Sequence, residues 1–130
     1  MPRETQFSIF LINKPGVMAS VTGALAEAGV NIKALSLVDS GEHGVLRIVC
    51  ADADTARKVL TDTHDRWTET EVLSVVLPGE PGTFARIAKH LGDERINVSY
   101  AYCTGSPEGG KVTAIFKVAD TEKAKDILGA

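Results

Sequence analysis

Short apolar runs and amphipathic stretches alternate along the chain, and their order predicts the elements of a small module. Residues 7–12 form an apolar run that stops at a Pro-Gly pair, which is typical of a buried strand ending in a turn. Apolar side chains then recur at helical spacing, at Val17, Val21, Leu25 and Ala28. Residues 30–38 and 45–51 predict two further strands, and Asp52 or Asp54 is placed to cap a second helix.

The same series of patterns occurs a second time in the chain. The Pro-Gly pair at 15–16 recurs at 81–82, an offset of 66, and apolar positions follow at the same offset. The two extra residues of the second copy fall in its longer hairpin, where a duplication tolerates an insertion. We therefore expect two copies of one module, at residues 1–70 and 71–130.

Each copy has the element order βαββα with a further strand expected after it. This is the ferredoxin-like α+β topology, which places helices on one face of an antiparallel sheet. Residues 67–77 contain no Gly, Pro or Asn, so one strand should end the first module and open the second. The chain stops just after its last predicted helix, so the second module should lack its own last strand. We expect another subunit to cover the resulting open edge, as a homodimer would.

Composition and charge narrow the class of protein. The net charge of −3 and the scattered Lys and Arg residues argue against a nucleic-acid surface, which needs clustered positive charge. No apolar run approaches the roughly 20 residues of a membrane helix, and the first residues lack the pattern of a signal peptide. We therefore expect a cytoplasmic protein. Cys50 and Cys103 lie in apolar, strand-like contexts and should be small core residues.

Catalytic machinery finds little support in the sequence. The histidines His43, His64 and His90 are at least 21 residues apart, and none belongs to a nucleophile motif. Glu69 and Glu71 alternate with threonines, which indicates a solvated strand face rather than a catalytic pair. There is no phosphate-binding glycine loop and no metal-ligand spacing. We expect no enzyme activity, no cofactor and no metal.

The Pro-Gly turns have a chemistry that suits a carboxylate. The first N–H groups of a helix lack intrahelical partners and lie at the positive end of its dipole. A glycine at the turn lets a ligand approach the backbone closely. The candidate donors are Gly16, Val17 and Met18 in the first copy, and Gly82, Thr83 and Phe84 in the second. The alternative is that Pro-Gly only turns a strand into a helix.

Two asparagines occupy the same position in the repeat. Asn31 and Asn97 each open a predicted strand, where asparagine is disfavoured. A side-chain amide both donates and accepts hydrogen bonds, which suits a zwitterionic ligand. The alternative is that each asparagine only shapes the turn between helix and strand.

Together these motifs resemble those of ACT domains. The stretch "NKPGVMASVTGALAEAGVNIKALSL" and its counterpart "GEPGTFARIAKHLGDERINVSYAY" each have a Pro-Gly turn, an amphipathic helix and an asparagine at a strand start. The resemblance covers nearly all of the chain, and it implies two tandem βαββαβ modules in a small bacterial regulatory protein. It also implies a bound amino acid near a module interface, with contacts from Asn13, Gly16, Val17, Met18 and Asn31, and from Gly82, Thr83, Phe84 and Asn97.

The two copies differ at the turn, since Asn13 of the first copy is replaced by Gly79 in the second. We therefore favour the first turn as the working site. ACT modules usually accompany a catalytic domain, so regulation here would act in trans on a separate enzyme or pathway. The competing hypothesis is an interaction or oligomerisation module whose ligand pockets are vestigial. A small enzyme on a ferredoxin-like scaffold is a third, weaker hypothesis.

Overall fold

The computed structural model describes residues 3–12, 14–64, 66–105 and 110–128. The elements of these residues are, in chain order, β1 (Arg3–Ile12), α1 (Val17–Glu27), β2 (Ile32–Ser40), β3 (His43–Cys50), α2 (Ala53–Thr63), β4 (Trp67–Pro78), α3 (Thr83–Asp93), β5 (Val98–Gly105), β6 (Lys111–Val118) and α4 (Thr121–Leu128). None of these helices is long and apolar enough to cross a membrane. The tandem βαββα order confirms the predicted α+β class.

The chain forms two compact units. The first unit is Thr5–Thr70, and the second combines Met1–Glu4 with Glu71–Ala130. As the sequence predicts, a single strand, β4, runs from the first unit into the second without a turn. Its second half, residues 72–77, is β-branched or apolar except for Ser74, which favours a continuous strand.

The first unit has an antiparallel sheet with the strand order β2-β3-β1-β4. Phe7 pairs with Ile48 and Ile9 with Leu46, so these side chains lie on one face of the sheet. Helices α1 and α2 cover that face through Val21, Leu25, Ala56 and Leu60, all of which are fully buried. The core cluster comprises Phe7, Ile9, Leu11, Val21, Leu25, Val30, Leu46, Ile48, Cys50, Ala56 and Leu60.

The second unit has the strand order β1-β4-β6-β5. In the described residues, no strand of this unit follows α4. The expected open edge is nevertheless occupied, because the start of β1 lies beside β4 in that position. Arg3 also forms an ion pair with Glu122 of α4, with 2.9 Å between nitrogen and oxygen. Its core cluster comprises Leu73, Val75, Leu77, Leu91, Ile96, Ala114, Phe116, Val118 and Ala124.

Polar side chains and left-handed residues mark several helix ends, and the cap of α2 is the first of its two predicted residues. Asp52 caps α2 by accepting a hydrogen bond from the Thr55 N–H at 3.1 Å, and Asp120 accepts one from the Lys123 N–H at 2.9 Å. Gly29 follows α1 in the left-handed region, with φ at 77°. Arg95 takes the same conformation after α3, with φ at 61°.

Three details differ from the expectations. Strand β1 begins at Arg3 rather than residue 7, because its first residues belong to the second unit. Strand β2 begins at Ile32, so Asn31 precedes the strand rather than lying within it. Cys103 is exposed instead of being a core residue, because β5 is an edge strand of its unit, whereas Cys50 is buried. Much of the predicted second hairpin, 106–109, lies outside the described residues.

Candidate functional site

The turn between β1 and α1 has a backbone that only glycine adopts easily. Gly16 has φ at 87° and precedes the first helical residue. The Lys14 N–H donates to the Ile12 carbonyl at 2.9 Å, and the Val17 N–H donates to the Lys14 carbonyl at 3.5 Å. Among the described residues, no side chain caps α1, and a methyl group added at Gly16 would meet nothing within 4 Å. A ligand can therefore approach the Gly16 backbone without meeting another described group.

The turn between β4 and α3 has the same conformation. Gly82 has φ at 86°, the Glu80 N–H donates to the Pro78 carbonyl at 2.9 Å, and the Thr83 N–H donates to the Glu80 carbonyl at 3.3 Å. The repeat seen in the sequence is thus a repeat of backbone geometry at both turns. Differences between the two turns must come from their side chains.

A cavity of about 240 Å³ lies beside the first turn. This volume is below the roughly 300–1,000 Å³ of pockets for drug-sized ligands, so it suits one small metabolite. Most of its wall is apolar, and Lys14 and Asp39 supply its charges. The lining residues are Leu11, Ile12, Lys14, Val17, Met18, Leu37, Val38, Asp39 and Gly44. We call this space the turn cavity.

The two charged residues of the turn cavity come from different elements. Lys14 belongs to the turn before α1, whereas Asp39 lies near the end of β2, where its Oδ1 accepts a hydrogen bond from the Gly41 N–H at 2.9 Å. A free amino acid carries one positive and one negative group at neutral pH, so this wall offers a partner to each. Val17 and Met18 of the predicted donor set also line the cavity.

The second turn has neither the lysine nor the aspartate of the first. At the offset of 66 residues, Glu80 stands where the first turn has Lys14, and Gly105 stands where it has Asp39. A comparison of the two copies in the sequence could have found these two differences. Only the structure shows that Lys14 and Asp39 line the same cavity. The asymmetry favours a carboxylate at the first turn and opposes it at the second.

The predicted residues of the second turn have different surroundings. Thr83 is only 6% exposed, and its Oγ1 is buried without a hydrogen-bond partner in the described part of the chain. Phe84, the counterpart of Met18, stacks on Phe116 with 5.3 Å between ring centroids. Asn97 is exposed and lies just before β5. Gly82 adopts the same conformation as Gly16.

Asn31 lies at the other end of the first unit's sheet from the turn cavity. Ile32 pairs with Cys50, whereas Asp39 pairs with Gly44. These positions are six residues apart along β3, which at about 3.3 Å per residue is roughly 20 Å. One amino acid therefore cannot contact both Asn31 and the turn cavity within one unit. The Asn31 carbonyl accepts a hydrogen bond from the Ala51 N–H at 2.9 Å, and its side chain is exposed.

Asn13 lies outside the described residues, so its predicted role stays a prediction. In the described ranges, no cluster of three or more His, Cys, Asp or Glu could hold a metal ion. Burial raises the pKa of the Cys50 thiol to about 11, which keeps that thiol protonated and unreactive at neutral pH.

A sequence model of the family described as the ACT domain pair matches residues 3–129. The chain belongs to this family. ACT domains are regulatory domains that bind amino acids. In this ACT domain pair, both modules have the Pro-Gly turn, but the turn cavity with its two charges belongs to the first module.

Solved structures share the fold of this ACT domain pair. Protein BT0572 from Bacteroides thetaiotaomicron is 29% identical, with a TM-score of 0.89 over 98% of this chain and 87% of that chain. The ligand-free regulatory subunit of aspartate kinase from Thermus thermophilus is 17% identical, with a TM-score of 0.70 over 97% and 91%. The aspartokinase alpha and beta subunits are 20% identical, with a TM-score of 0.64 over 97% and 89%. No curated protein matches this chain.

These similarities set the coarse class of the protein. The family model shows that the protein is a pair of ACT domains, which are regulatory domains. The aspartate kinase subunits are at most 20% identical to this chain, so their similarity shows only a shared fold. The proposal for a ligand is therefore argued from the residues that line the turn cavity.

Proposed function

We propose that this ACT domain pair is a non-catalytic sensor that binds a free amino acid in the turn cavity. It would act in trans, in the cytoplasm, on a separate metabolic enzyme or pathway. The observation that carries the proposal is that Lys14 and Asp39 both line one small, mostly apolar cavity at the N-terminus of α1. Membership of a family of amino-acid-binding regulatory domains supports it.

The ligand would bind with each of its charges near an opposite one. Its carboxylate would lie at the N-terminus of α1, beside Val17 and Met18, and at the Lys14 ammonium, because the helix dipole and the ammonium both attract an anion. Its ammonium would lie at the Asp39 carboxylate. The apolar wall at Leu11 and Leu37 would then contact the ligand's side chain, so a small or medium apolar amino acid fits best.

Thermal unfolding in the presence of each free amino acid tests this proposal. A ligand at 100 times its dissociation constant should stabilise the protein by about 2.7 kcal/mol. Lys14→Glu should abolish the response, because it places a negative charge beside the ligand carboxylate. Glu80→Lys is the matched control in the second unit, and it should leave the response to the ligand intact.

Two results would contradict the proposal. The first is that no free amino acid raises the unfolding temperature of the wild-type protein. The second is that Lys14→Glu responds as the wild type does, since the ligand would then bind elsewhere. A retained response in Asp39→Asn would reject only the ammonium contact, while the carboxylate contact would stand.

The edge strand β2 supports a homodimer as part of the same proposal. Leu35 and Leu37 are 39% and 52% exposed, although their pairing with Ile48 and Leu46 places them on the helix-covered face. An exposed apolar edge favours pairing with another strand. Antiparallel pairing of two β2 strands would bring Asn31 of a second copy to the turn cavity, which gives that predicted residue a role.

Sedimentation measurements test the dimer. Leu35→Glu should shift the protein toward monomer, whereas Val76→Glu, at a 57% exposed position of the second unit, should not. In the dimer, Asn31→Ala should weaken the amino-acid response without loss of assembly. A wild-type monomer at micromolar concentration would refute this arrangement and would leave Asn31 without a ligand role.

The alternative is an interaction or oligomerisation module with vestigial pockets. Glu80 in place of a lysine, and the stacking of Phe84 on Phe116, favour this interpretation for the second turn. For the whole protein, the alternative predicts assembly without any response to free amino acids. The unfolding and sedimentation experiments together therefore distinguish the two hypotheses.

A further inference from the structure

A second cavity of the first unit, of about 480 Å³, borders the same turn. It shares Leu11, Ile12, Lys14 and Val17 with the turn cavity, and its other wall residues are Phe10, His43, His64 and Arg66. We call it the basic cavity, because the charged or titratable residues of its described wall are lysine, arginine and histidine. The amino-acid proposal uses none of its four distinctive residues.

The charge of this wall is opposite to that of the whole chain. The net formal charge of the protein is −3 with neutral histidines, yet the two formal charges in the described lining of this cavity, on Lys14 and Arg66, are both positive. Two positive charges on one wall attract an anion. The imidazole rings of His43 and His64 add nitrogen atoms that can donate hydrogen bonds to such a ligand.

Three separate segments bring these basic side chains together. His64 ends α2, where its N–H donates to the Leu60 carbonyl at 2.8 Å. The Phe10 N–H donates to the Arg66 carbonyl at 2.9 Å, which holds Arg66 beside the end of β1. His43 opens β3 and pairs directly with Ile12. The cluster is therefore positioned by backbone hydrogen bonds of the fold.

The wall also has an apolar part that water reaches. Phe10 is 43% exposed and Ile12 is 58% exposed, so both offer uncovered surface to this cavity. An inorganic anion would use the positive charges and leave these side chains in water. A ligand with both an anionic group and an apolar body would use both parts of the wall.

We propose that the basic cavity binds a small organic anion, one that combines a phosphate or carboxylate group with an aromatic or aliphatic body. Its anionic group lies among Arg66, His64 and His43, and its body covers Phe10 and Ile12. The ligand class is distinct from the zwitterionic amino acid proposed for the turn cavity. Since Lys14 borders both cavities, occupancy of one can influence the other.

Amide NMR titration of the full chain with phenyl phosphate tests this inference. We expect saturable shifts concentrated at Phe10, Ile12, His43, His64 and Arg66. Inorganic phosphate should bind the same residues more weakly, and benzyl alcohol should produce no saturable shifts there. Equal affinities for phosphate and phenyl phosphate would overturn the role of the apolar wall.

Charge-removing variants give the second readout. Arg66→Gln should weaken phenyl phosphate binding by about tenfold, because a charge-assisted hydrogen bond is lost. Arg86→Gln, an exposed arginine of the second unit, is the matched control and should bind as the wild type does. Unchanged affinity in both Arg66→Gln and His64→Gln would overturn the site, as would shifts spread over other basic residues. The amino-acid response of Arg66→Gln should persist, so the two proposals can fail separately.

Discussion

Replacing Arg95 by glycine should stabilise the protein. Arg95 has φ at 61° after α3, in the left-handed region that costs a residue with a Cβ roughly 1–2 kcal/mol. Glycine removes this cost, but it also stabilises the unfolded chain by about 0.4–1 kcal/mol through its greater conformational entropy. The free energy of unfolding should therefore rise by about 0.5–1 kcal/mol, which is about 2–5 °C in unfolding temperature for a chain of this length.

The first unit contains the natural control for this prediction. Gly29 follows α1 with φ at 77°, and its N–H donates to the Ala26 carbonyl at 3.0 Å, as the Arg95 N–H does to the Gly92 carbonyl. A Cβ at Gly29 would meet nothing within 4 Å, so Gly29→Ala costs only its backbone conformation. We expect a loss of about 0.5–1 kcal/mol from this variant.

A second glycine separates backbone strain from helix propensity. Gly23 lies inside α1, and a Cβ there would also meet nothing within 4 Å. Gly23→Ala should therefore raise stability by about 0.5–1 kcal/mol, the reverse of Gly29→Ala. Urea unfolding followed by circular dichroism measures all three variants. The reasoning is refuted if Gly23→Ala and Gly29→Ala shift the midpoint in the same direction, or if Arg95→Gly lowers it.

Two further predictions concern titratable groups. Iodoacetamide at mildly alkaline pH should label the exposed Cys103 in the folded protein. Cys50 should be labelled only after unfolding, because burial raises the pKa of its thiol to about 11. Detection of both adducts on the folded protein by peptide mass spectrometry would contradict this prediction. Arg57 donates two hydrogen bonds of 2.8 Å to Glu69, which lowers the pKa of that carboxyl below its usual 4.5, so Glu69→Gln should destabilise the protein at neutral pH. The stabilisation is present above the unfolded-state pKa and is lost as pH falls through the lowered folded-state value, so urea midpoints of the two proteins should converge in acid.

Much of the fold could be predicted from the sequence because its signals are local. Helical spacing places α1 and its counterpart α3, Asp52 marks the start of α2, and the absence of turn residues predicts β4 as one strand. Each of these features depends on a few neighbouring residues. The duplication strengthened them, because each signal occurs twice.

The arrangement of the candidate site was harder to predict from the sequence, because it depends on the order of the strands in the sheet. Strands β1 and β2 each pair antiparallel with β3, so the start of β2 lies far from the end of β1. This separates Asn31 from Gly16, although the sequence presents them as one motif. The joining of Lys14 and Asp39 at one cavity depends on the same pairing, since Leu11 and Asp39 both pair with Gly44.

The exposure of Cys103 is another consequence of sheet order. Its apolar neighbours predict burial, and its partner Ala114 is indeed in the core. Strand β5, however, lies at the edge of its unit, where even the core-facing side chains are incompletely covered. Periodicity identifies the face of a side chain, whereas only the order of the strands identifies an edge.

The start of β1 has a consequence for how the two units can be separated. Arg3 and Glu4 belong to the same unit as residues 71–130, although residues 5–70 of the other unit lie between them in the chain. No single cut of the chain therefore releases the second unit with all of its residues. A fragment of residues 71–130 would lack the strand segment that borders β4.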